Sequence, residues 1–134
     1  MTKVVVYGTL MTDEHNYPVA SDAQKREKCR IKGWLYDTGW GFPAFVPDEK
    51  GMDIKAELLT VSAQTLARMD RLEGAPHFYY RQEIDAITRE DGEPQRAQVY
   101  VMNALPAGAT RMQTSWPDRF RESPTPPWRK NTDN

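Results

Sequence analysis

The sequence is poor in the residues that build disulfides and metal centres. Its 134 residues include one cysteine, Cys29, and two histidines. One cysteine cannot form a disulfide within the chain, and no second cysteine or histidine stands at metal-ligand spacing from it. The sequence therefore gives no support to a disulfide framework or a metal site. We predict that Cys29 fills a strand as a small apolar residue.

An excess of charge of one sign is also missing. The chain carries 18 Lys and Arg against 19 Asp and Glu, a net charge of -1. This balance supplies no field that would attract nucleic acid or an anionic membrane, so we expect neither as a partner. No apolar run approaches membrane-spanning length, and Val4-Val5-Val6 is too short for the core of a signal peptide. We therefore expect a cytoplasmic protein.

Several catalytic patterns are missing as well. The glycine spacing of dinucleotide-binding and Walker-type loops is not found, which leaves phosphate transfer unsupported. His15 and His77 stand alone in polar segments, without a serine or cysteine in a recognisable nucleophile setting. We expect solvated histidines rather than a catalytic triad.

What the sequence does contain is a series of strand patterns around one helix. Runs rich in apolar and β-branched residues predict strands over residues 3–7, 29–36, 44–46, 52–61, 79–88 and 95–102. The first strand is predicted to be central, and the last two to form an antiparallel hairpin around the turn signal Asp91-Gly92. Ser62 and Gly74 bound a helix predicted over residues 63–73. Residues 11–28 are predicted to be loop with at most a short exposed helix.

These elements predict the fold class and the domain organisation. Antiparallel hairpins without regular strand–helix–strand alternation favour an α+β domain, with a sheet of five to six strands that curls toward a barrel beside one or two helices. The length of the chain indicates one domain. We place this domain at residues 1–118. Residues 119–134 are predicted to be a flexible, Pro-rich tail because Ser123-Pro124-Thr125-Pro126-Pro127 disfavours regular structure.

Glu73 is the first candidate for chemistry. A carboxylate in the last helical turn faces the negative end of the helix dipole, which raises its pKa, and partial burial beside Leu72 and Tyr80 would raise the pKa further. Such a group is suited to general acid or base catalysis near neutral pH. An ordinary surface glutamate at a helix end is the alternative.

The loop Tyr7-Gly8-Thr9-Leu10 is the second candidate. A glycine directly after a buried strand lets successive backbone N–H groups converge on a carboxylate or a developing oxyanion, although a simple tight turn has the same pattern. Tyr79 and Tyr80 open a later strand on opposite faces, so one of them can return toward Glu73. For the aromatic residues Trp34, Trp40 and Phe42 there are two interpretations. They line the mouth of a pocket, or they pack in the core.

Together these segments resemble the gamma-glutamylcyclotransferase-like family, nearest to its short gamma-glutamylamine cyclotransferase branch. Four motifs in order carry the resemblance over residues 3–102: Val5-Val6-Tyr7-Gly8-Thr9-Leu10, Gly33-Trp34-Leu35-Tyr36-Asp37-Thr38-Gly39 with Pro43-Ala44, Met69-Asp70-Arg71-Leu72-Glu73-Gly74, and Tyr80-Arg81. Ala56 and Met11 depart from the pattern, since the family usually has glycine at the first position and many relatives carry a basic residue at the second.

The resemblance implies a small mixed, mostly antiparallel barrel flanked by helices and needing no cofactor or metal. It implies an intramolecular cyclisation of the transferase or lyase type, which releases 5-oxoproline and a free amine or amino acid from a small gamma-glutamyl substrate. Glu73 matches the catalytic glutamate of the family. Tyr7, Gly8, Thr9, Leu10 and Tyr80 match positions that bind or line the substrate site.

Two other functions remain open from the sequence. A member of the same fold with little catalytic power would bind a small acidic ligand or a protein partner, and a purely structural accessory domain is the third possibility, because one scaffold can serve unrelated roles. We expect a monomer or a weak homodimer.

Overall fold

The computed structural model describes residues 1–88 and 92–120. The strands found in these residues are β1 (Thr2–Val6), β2 (Lys25–Asp37), β3 (Pro43–Pro47), β4 (Met52–Val61), β5 (Tyr79–Thr88), β6 (Pro94–Met102) and β7 (Thr110–Arg111). The helices are α1 (Ala63–Glu73) and two short 3-10 helices, Tyr17–Ala20 and Trp116–Asp118.

Five of the strands close into a barrel. The order around it is β2, β4, β1, β6, β5, and the barrel closes where Cys29 and Arg30 of β2 pair with Thr88 and Ile87 of β5. The β1–β6 pair is parallel and the other barrel pairs are antiparallel. Strands β3 and β7 add to β2 outside the closed ring. The fold is therefore the predicted α+β class, with a mixed, mostly antiparallel barrel.

Alternation along the strands separates two apolar layers. One cluster takes residues from all five barrel strands, among them Val5, Ile31 and Val99, so it fills the barrel interior. A second cluster joins Val4 and Val6 to Met69 of α1 and lies between the barrel wall and the helix. Strand β1 contributes to both layers and pairs on both sides, as the prediction of a central strand requires.

Local signals fix the ends of α1. Ser62 accepts a hydrogen bond from the Thr65 N–H at 3.2 Å, and Gly74 ends the helix in the left-handed conformation with φ 64°. The predicted helix over residues 63–73 is thus confirmed. Within the helix Met69 is fully buried, whereas Leu72, three positions later, is exposed.

The structure refines two segments. The predicted loop over residues 11–28 contains the 3-10 helix Tyr17–Ala20, and β2 begins at Lys25, four residues before the strand predicted over residues 29–36. After the last predicted strand, residues 95–102, the chain also forms β7 and the 3-10 helix Trp116–Asp118. Trp116 packs into the barrel interior there.

Three further predictions concern Cys29, the turn of the hairpin and the C-terminal tail. Cys29 is buried in β2, as predicted, and burial raises the pKa of its thiol to about 12. In the antiparallel β5–β6 hairpin, Asp91 lies outside the described residues, as does most of the predicted tail, 121–134. Arg119 is described, and it forms an ion pair with Glu14 at 3.0 Å. No helix in the described part of the chain has the length and apolar character needed to cross a bilayer.

Candidate active site

A recess opens where the chain leaves β1. It encloses about 30 Å³, so a ligand larger than a few water molecules must extend through its mouth. Besides two residues of β1, the lining comprises Tyr7, Gly8, Thr9, Leu10, Phe42, Pro43, Glu73, Tyr79 and Tyr100.

The loop after β1 forms one wall of the recess. The Gly8 carbonyl accepts from the Met11 N–H at 3.0 Å, and the Thr9 carbonyl accepts from the Asn16 N–H at 2.8 Å. These two bonds hold the loop in a compact turn. Within residues 1–88 and 92–120, no group accepts a hydrogen bond from the N–H of Gly8, Thr9 or Leu10. Three residues that line the recess therefore have backbone N–H groups without a described acceptor.

Gly8 is required by the close approach of this loop to β3. A Cβ atom on Gly8 would lie 2.6 Å from Cγ and 2.7 Å from Cδ of Pro43. These separations are well below normal contact distance, and Pro43 is itself part of the recess wall. Glycine thus lets the loop and β3 define the narrow recess together.

Three tyrosines surround the recess, and each donates its hydroxyl hydrogen to the protein. Tyr7 donates to the Tyr100 carbonyl at 2.7 Å, Tyr79 donates to the Pro43 carbonyl at 2.7 Å, and Tyr100 donates to Oδ1 of Asp70 at 2.6 Å. Burial raises the pKa of all three hydroxyls, and the negative charge of Glu73 raises each further. The tyrosines therefore stay neutral near pH 7.

Glu73 is placed at the recess by the end of α1. It is the last helical residue before Gly74, and its side chain is half-buried. Its carboxylate forms no hydrogen bond or ion pair with any residue in the described ranges. Glu73 is thus a carboxylate in the wall of a cavity with both oxygens free to meet a ligand.

The surroundings tune this carboxylate for proton transfer. Burial is the main cause and the negative charge of Asp70 the second, and together they raise the pKa of Glu73 to about 7. The sequence anticipated a raised pKa from burial and the helix dipole, but not the contribution of Asp70. A carboxyl group with this pKa exchanges its proton near neutral pH, as a general acid or base must.

Asp70 is itself held in a small polar network beside the recess. Its Oδ1 accepts from the Tyr100 hydroxyl and lies 3.2 Å from Nε of Arg81. Asp70 and Glu73 are separated by three positions on α1, so both lie on the same side of the helix. The network therefore holds Asp70 close to Glu73, with the Tyr100 hydroxyl and the Arg81 guanidinium both at Oδ1 of Asp70.

A second cavity, which we call the groove, meets the recess at Glu73. Its volume is about 190 Å³, and Thr9, Phe42, Glu73 and Tyr79 line both cavities. The residues that belong to the groove alone are His15, Asn16, Trp40, Gly41 and Leu72. A ligand that spans the two cavities would pass the Glu73 carboxylate at their junction.

The segment that follows the recess loop, residues 12–20, is anchored to the barrel by a largely buried ion pair. Nη1 of Arg26 lies 2.6 Å from Oε1 of Glu57, and the same oxygen accepts from the Thr12 N–H at 2.8 Å. Arg26 also donates to the Ala20 carbonyl and packs over the ring of Tyr17. This pair joins residues 12–20 to strands β2 and β4, and so supports the segment that follows the recess loop.

Most of the residues that the sequence singled out come together here, but one does not. Tyr7, Gly8, Thr9, Leu10 and Glu73 all line the recess. Tyr80 does not, because it lies on the other face of β5 and packs against the barrel interior. Its neighbour Tyr79 occupies the recess wall.

Other site residues were not singled out. Tyr100 lines the recess, and His15, which the sequence left as a solvated histidine, lines the groove. The strand alternation was a usable signal for Tyr100, but no local pattern marks His15. Trp40 and Phe42 lie at the groove, whereas Trp34 is outside it and donates to Asp48 at 3.0 Å. Within the described ranges, no group of three or more His, Cys, Asp or Glu residues is arranged to hold a metal ion.

The sequence of this chain matches a known protein family. The sequence model described as gamma-glutamyl cyclotransferase, AIG2-like, matches residues 4–119. This chain belongs to that family, which confirms the resemblance stated from its motifs.

Individual relatives agree with this assignment. The chain is 41% identical over 69 residues to a Halalkalibacterium halodurans protein provisionally named a gamma-glutamylcyclotransferase. The match spans 48% of this chain and 60% of that protein, less than two thirds of its length. Among solved structures, an AIG2-like protein from Mus musculus has a TM-score of 0.70 with 23% identity, covering 80% of each chain. A Pyrococcus horikoshii protein has a TM-score of 0.64 with 19% identity, covering 90% of this chain and 93% of its own. These two structures show a shared fold.

Proposed function

We propose that this protein is a gamma-glutamyl cyclotransferase that converts a gamma-glutamyl amine or amino acid into 5-oxoproline and the free amine, with Glu73 as general acid and base. Membership of the family and the name of the Halalkalibacterium halodurans relative support this class of reaction. The observation that carries the proposal is the Glu73 carboxylate, which has no partner in the described residues and a pKa of about 7 at the junction of two cavities.

The reaction needs no nucleophile from the protein. The α-nitrogen of the gamma-glutamyl group attacks its own side-chain carbonyl carbon, so a new carbon–nitrogen bond closes the five-membered lactam. The bond from this carbon to the leaving nitrogen then breaks. The two protons that the α-ammonium loses end on the leaving nitrogen, and no water is consumed. Because the two reacting groups are tethered, the protein mainly has to orient them and move protons.

Glu73 is suited to both proton transfers. As a carboxylate it takes a proton from the attacking ammonium group, and as a carboxylic acid it delivers a proton to the departing nitrogen. A pKa of about 7 makes both forms accessible at neutral pH. The hydroxyls of Tyr7, Tyr79 and Tyr100 are poor substitutes because each has a raised pKa and already donates its hydrogen.

The loop after β1 is assigned to substrate binding. The N–H groups of Gly8, Thr9 and Leu10 would hold the substrate α-carboxylate or the oxygen of the tetrahedral intermediate, since no described group uses them. Tyr7 and Tyr79 form the wall beside this loop. In this assignment Tyr79, and not Tyr80, lines the substrate site, because Tyr79 lies in the recess wall.

The test is an assay of products over a panel of gamma-glutamyl amines and gamma-glutamyl amino acids. We expect 5-oxoproline and free amine in equal amounts, with no glutamate. Release of glutamate would instead indicate hydrolysis and contradict the proposal. If no member of the panel yields product while circular dichroism shows a folded protein, the function of binding a small acidic ligand takes its place.

A further inference from the structure

Glu14 links the segment after the recess loop to residues near the end of the described chain. Its Oε1 accepts from the Trp116 indole N–H at 3.1 Å and lies 3.0 Å from Nη2 of Arg119, and its Oε2 accepts from Nη1 of Arg119 at 3.2 Å. We call Glu14, Trp116 and Arg119 the Glu14 cluster. The Glu14 side chain is only 11% exposed. Both of its oxygens are thus held by donors that lie 102 and 105 positions away in the sequence.

The two partners of Glu14 are themselves fixed to the barrel. Trp116 is buried in the barrel interior, and the Lys55 N–H of β4 donates to Oγ of Ser115 at 2.8 Å. Arg119 donates to the Trp116 carbonyl at 2.8 Å, and its guanidinium carbon lies 4.4 Å from the centroid of the Trp116 ring. These contacts hold both donors in place independently of Glu14. The Glu14 carboxylate is therefore bonded to a firmly packed part of the molecule.

On its other side, Glu14 is connected to the recess by a short stretch of chain. Asn16, two positions later, donates its backbone N–H to the Thr9 carbonyl at 2.8 Å and its Nδ2 hydrogen to Oγ1 of Thr9 at 3.0 Å. Thr9 lines both the recess and the groove. Because Asn16 bonds Thr9 at two atoms, a shift of residues 14–16 would move Thr9 or release it.

The backbone before Glu14 needs outside contacts to keep its conformation. Asp13 has a φ of 67°, in the left-handed region that residues other than glycine uncommonly adopt. Such a conformation persists where the surrounding structure imposes it. The bond from the Thr12 N–H to Glu57 holds the chain before Asp13, and the Glu14 cluster holds it afterwards.

We propose that Glu14 is a positioning residue, through which Trp116 and Arg119 hold the recess loop in the form that binds substrate. Glu14 lines neither the recess nor the groove, so it acts through Asn16 and Thr9 and not by contact with reacting atoms. This inference rests on the proposed function for the identity of the substrate. Loss of the Glu14 cluster loosens Thr9 but leaves Glu73 on α1, so substrate binding weakens while proton transfer continues.

Steady-state kinetics of two variants test this role. Glu14→Gln and Arg119→Ala should each raise KM by about tenfold and change kcat by less than about threefold, for the gamma-glutamyl amide of the panel that the wild-type protein turns over fastest. KM of the double variant should rise no further, because both changes remove the same interaction. Ile54→Val is the control for a general loss of stability, since Ile54 is a barrel residue that lines neither cavity. It should leave KM unchanged.

Hydrogen exchange followed by mass spectrometry examines the loop without substrate. Peptides that cover residues 8–17 should exchange at least about tenfold faster in Arg119→Ala than in the wild-type protein, because local opening becomes easier. Peptides from α1 should exchange at the wild-type rate. In Ile54→Val, residues 8–17 should exchange no faster than the barrel strands do.

The outcomes separate this inference from the proposed function. An unchanged KM in both single variants, or unchanged exchange of residues 8–17, would overturn the role of Glu14 and leave the cyclotransferase function standing. A KM effect in the double variant equal to the product of the two single effects would overturn the claim that Arg119 acts through Glu14. If the folded wild-type protein releases no 5-oxoproline from any panel substrate, the proposed function fails, and the exchange of residues 8–17 alone decides whether Glu14 positions the loop.

Discussion

Asp70 lies three positions before Glu73 on α1, and its negative charge adds to the effect of burial in raising the pKa of Glu73 to about 7. Asp70 is held there by the Tyr100 hydroxyl at 2.6 Å and by Arg81 at 3.2 Å. The Asp70 carboxylate therefore lies where its charge makes the Glu73 carboxyl group less acidic. This arrangement is common at sites that transfer protons near neutral pH.

The pH dependence of activity should show the effect of Asp70 on the pKa of Glu73. Glu73 must be ionised to take the first proton, so we expect kcat/KM to rise with pH and to level off above about 7. In Asp70→Asn the midpoint should move to lower pH, because a negative charge that disfavours the Glu73 carboxylate is gone. It should move only in part, since burial, the larger cause, is unchanged.

The control for this measurement is Asp85→Asn, at an exposed carboxylate paired with Arg96. The groups near Glu73 that could confuse the profile are His15, Arg81 and the hydroxyls of Tyr7, Tyr79 and Tyr100. His15 lines the groove that Glu73 also lines, so His15→Gln should be measured in parallel. A midpoint that follows His15 and ignores Asp70 would contradict the assignment.

Glu73 should also cost the protein stability above neutral pH. Because its pKa is raised in the folded state, the folded protein holds this proton to higher pH than the unfolded chain does. Stability therefore falls as pH rises from the ordinary glutamate pKa of 4.5 to about 7. Glu73→Gln should thus stabilise the protein, and its advantage should grow by about 2 kcal/mol between pH 5 and pH 8.

Urea unfolding at both pH values measures this effect. Glu49→Gln, a change in an exposed turn, controls for the loss of one negative charge. An equal free-energy change at both pH values, or destabilisation by Glu73→Gln at pH 8, would contradict the raised pKa.

Replacement of Gly8 tests the geometry of the recess. Gly8→Ala forces a methyl group onto Pro43, so we expect destabilisation by about 1–3 kcal/mol together with loss of activity. Gly108→Ala is the matched control, since a Cβ atom on Gly108 meets nothing within 4 Å. Thermal unfolding and the 5-oxoproline assay would show both effects. Full activity of Gly8→Ala would mean that the recess does not depend on this close contact.

The Arg26–Glu57 ion pair should be important for stability because it is largely buried. Arg26→Ala leaves Glu57 with the Thr12 N–H as its described partner, and we expect a loss of about 3 kcal/mol. The exposed pair of Arg96 and Asp85 provides the comparison. Arg96→Ala should cost no more than about 1 kcal/mol in urea unfolding. Equal effects at the two pairs would contradict the role of Arg26.

The parts of this fold that the sequence predicts well are those with local signals. Ser62 and Gly74 mark the ends of α1 by their capping chemistry, and the strand patterns over residues 52–61 and 79–88 coincide with β4 and β5. Such signals depend on neighbours in the chain. The closure of the barrel between Cys29 and Thr88 depends on pairing across 59 residues and has no local mark.

In the candidate site, too, the positions that depend on pairing between distant strands could not be predicted from the sequence. Tyr79 and Tyr80 are adjacent and chemically alike, and alternation says only that they face opposite sides, not which side holds the recess. Tyr100 meets Asp70 because β6 pairs with both β1 and β5, a consequence of sheet order. The resemblance led us to expect Glu73 and the Tyr7-Gly8-Thr9-Leu10 loop at one site, and both line the recess.

The most direct test of the central claim is kcat and KM for 5-oxoproline release by Glu73→Gln beside the wild-type protein and Glu49→Gln. Circular dichroism would show that all three are folded. The account predicts that kcat falls by about 10²- to 10⁴-fold in Glu73→Gln with KM little changed, whereas Glu49→Gln behaves as wild type. Activity of Glu73→Gln within a few-fold of wild type would contradict it, because the protons would then be moved by another group.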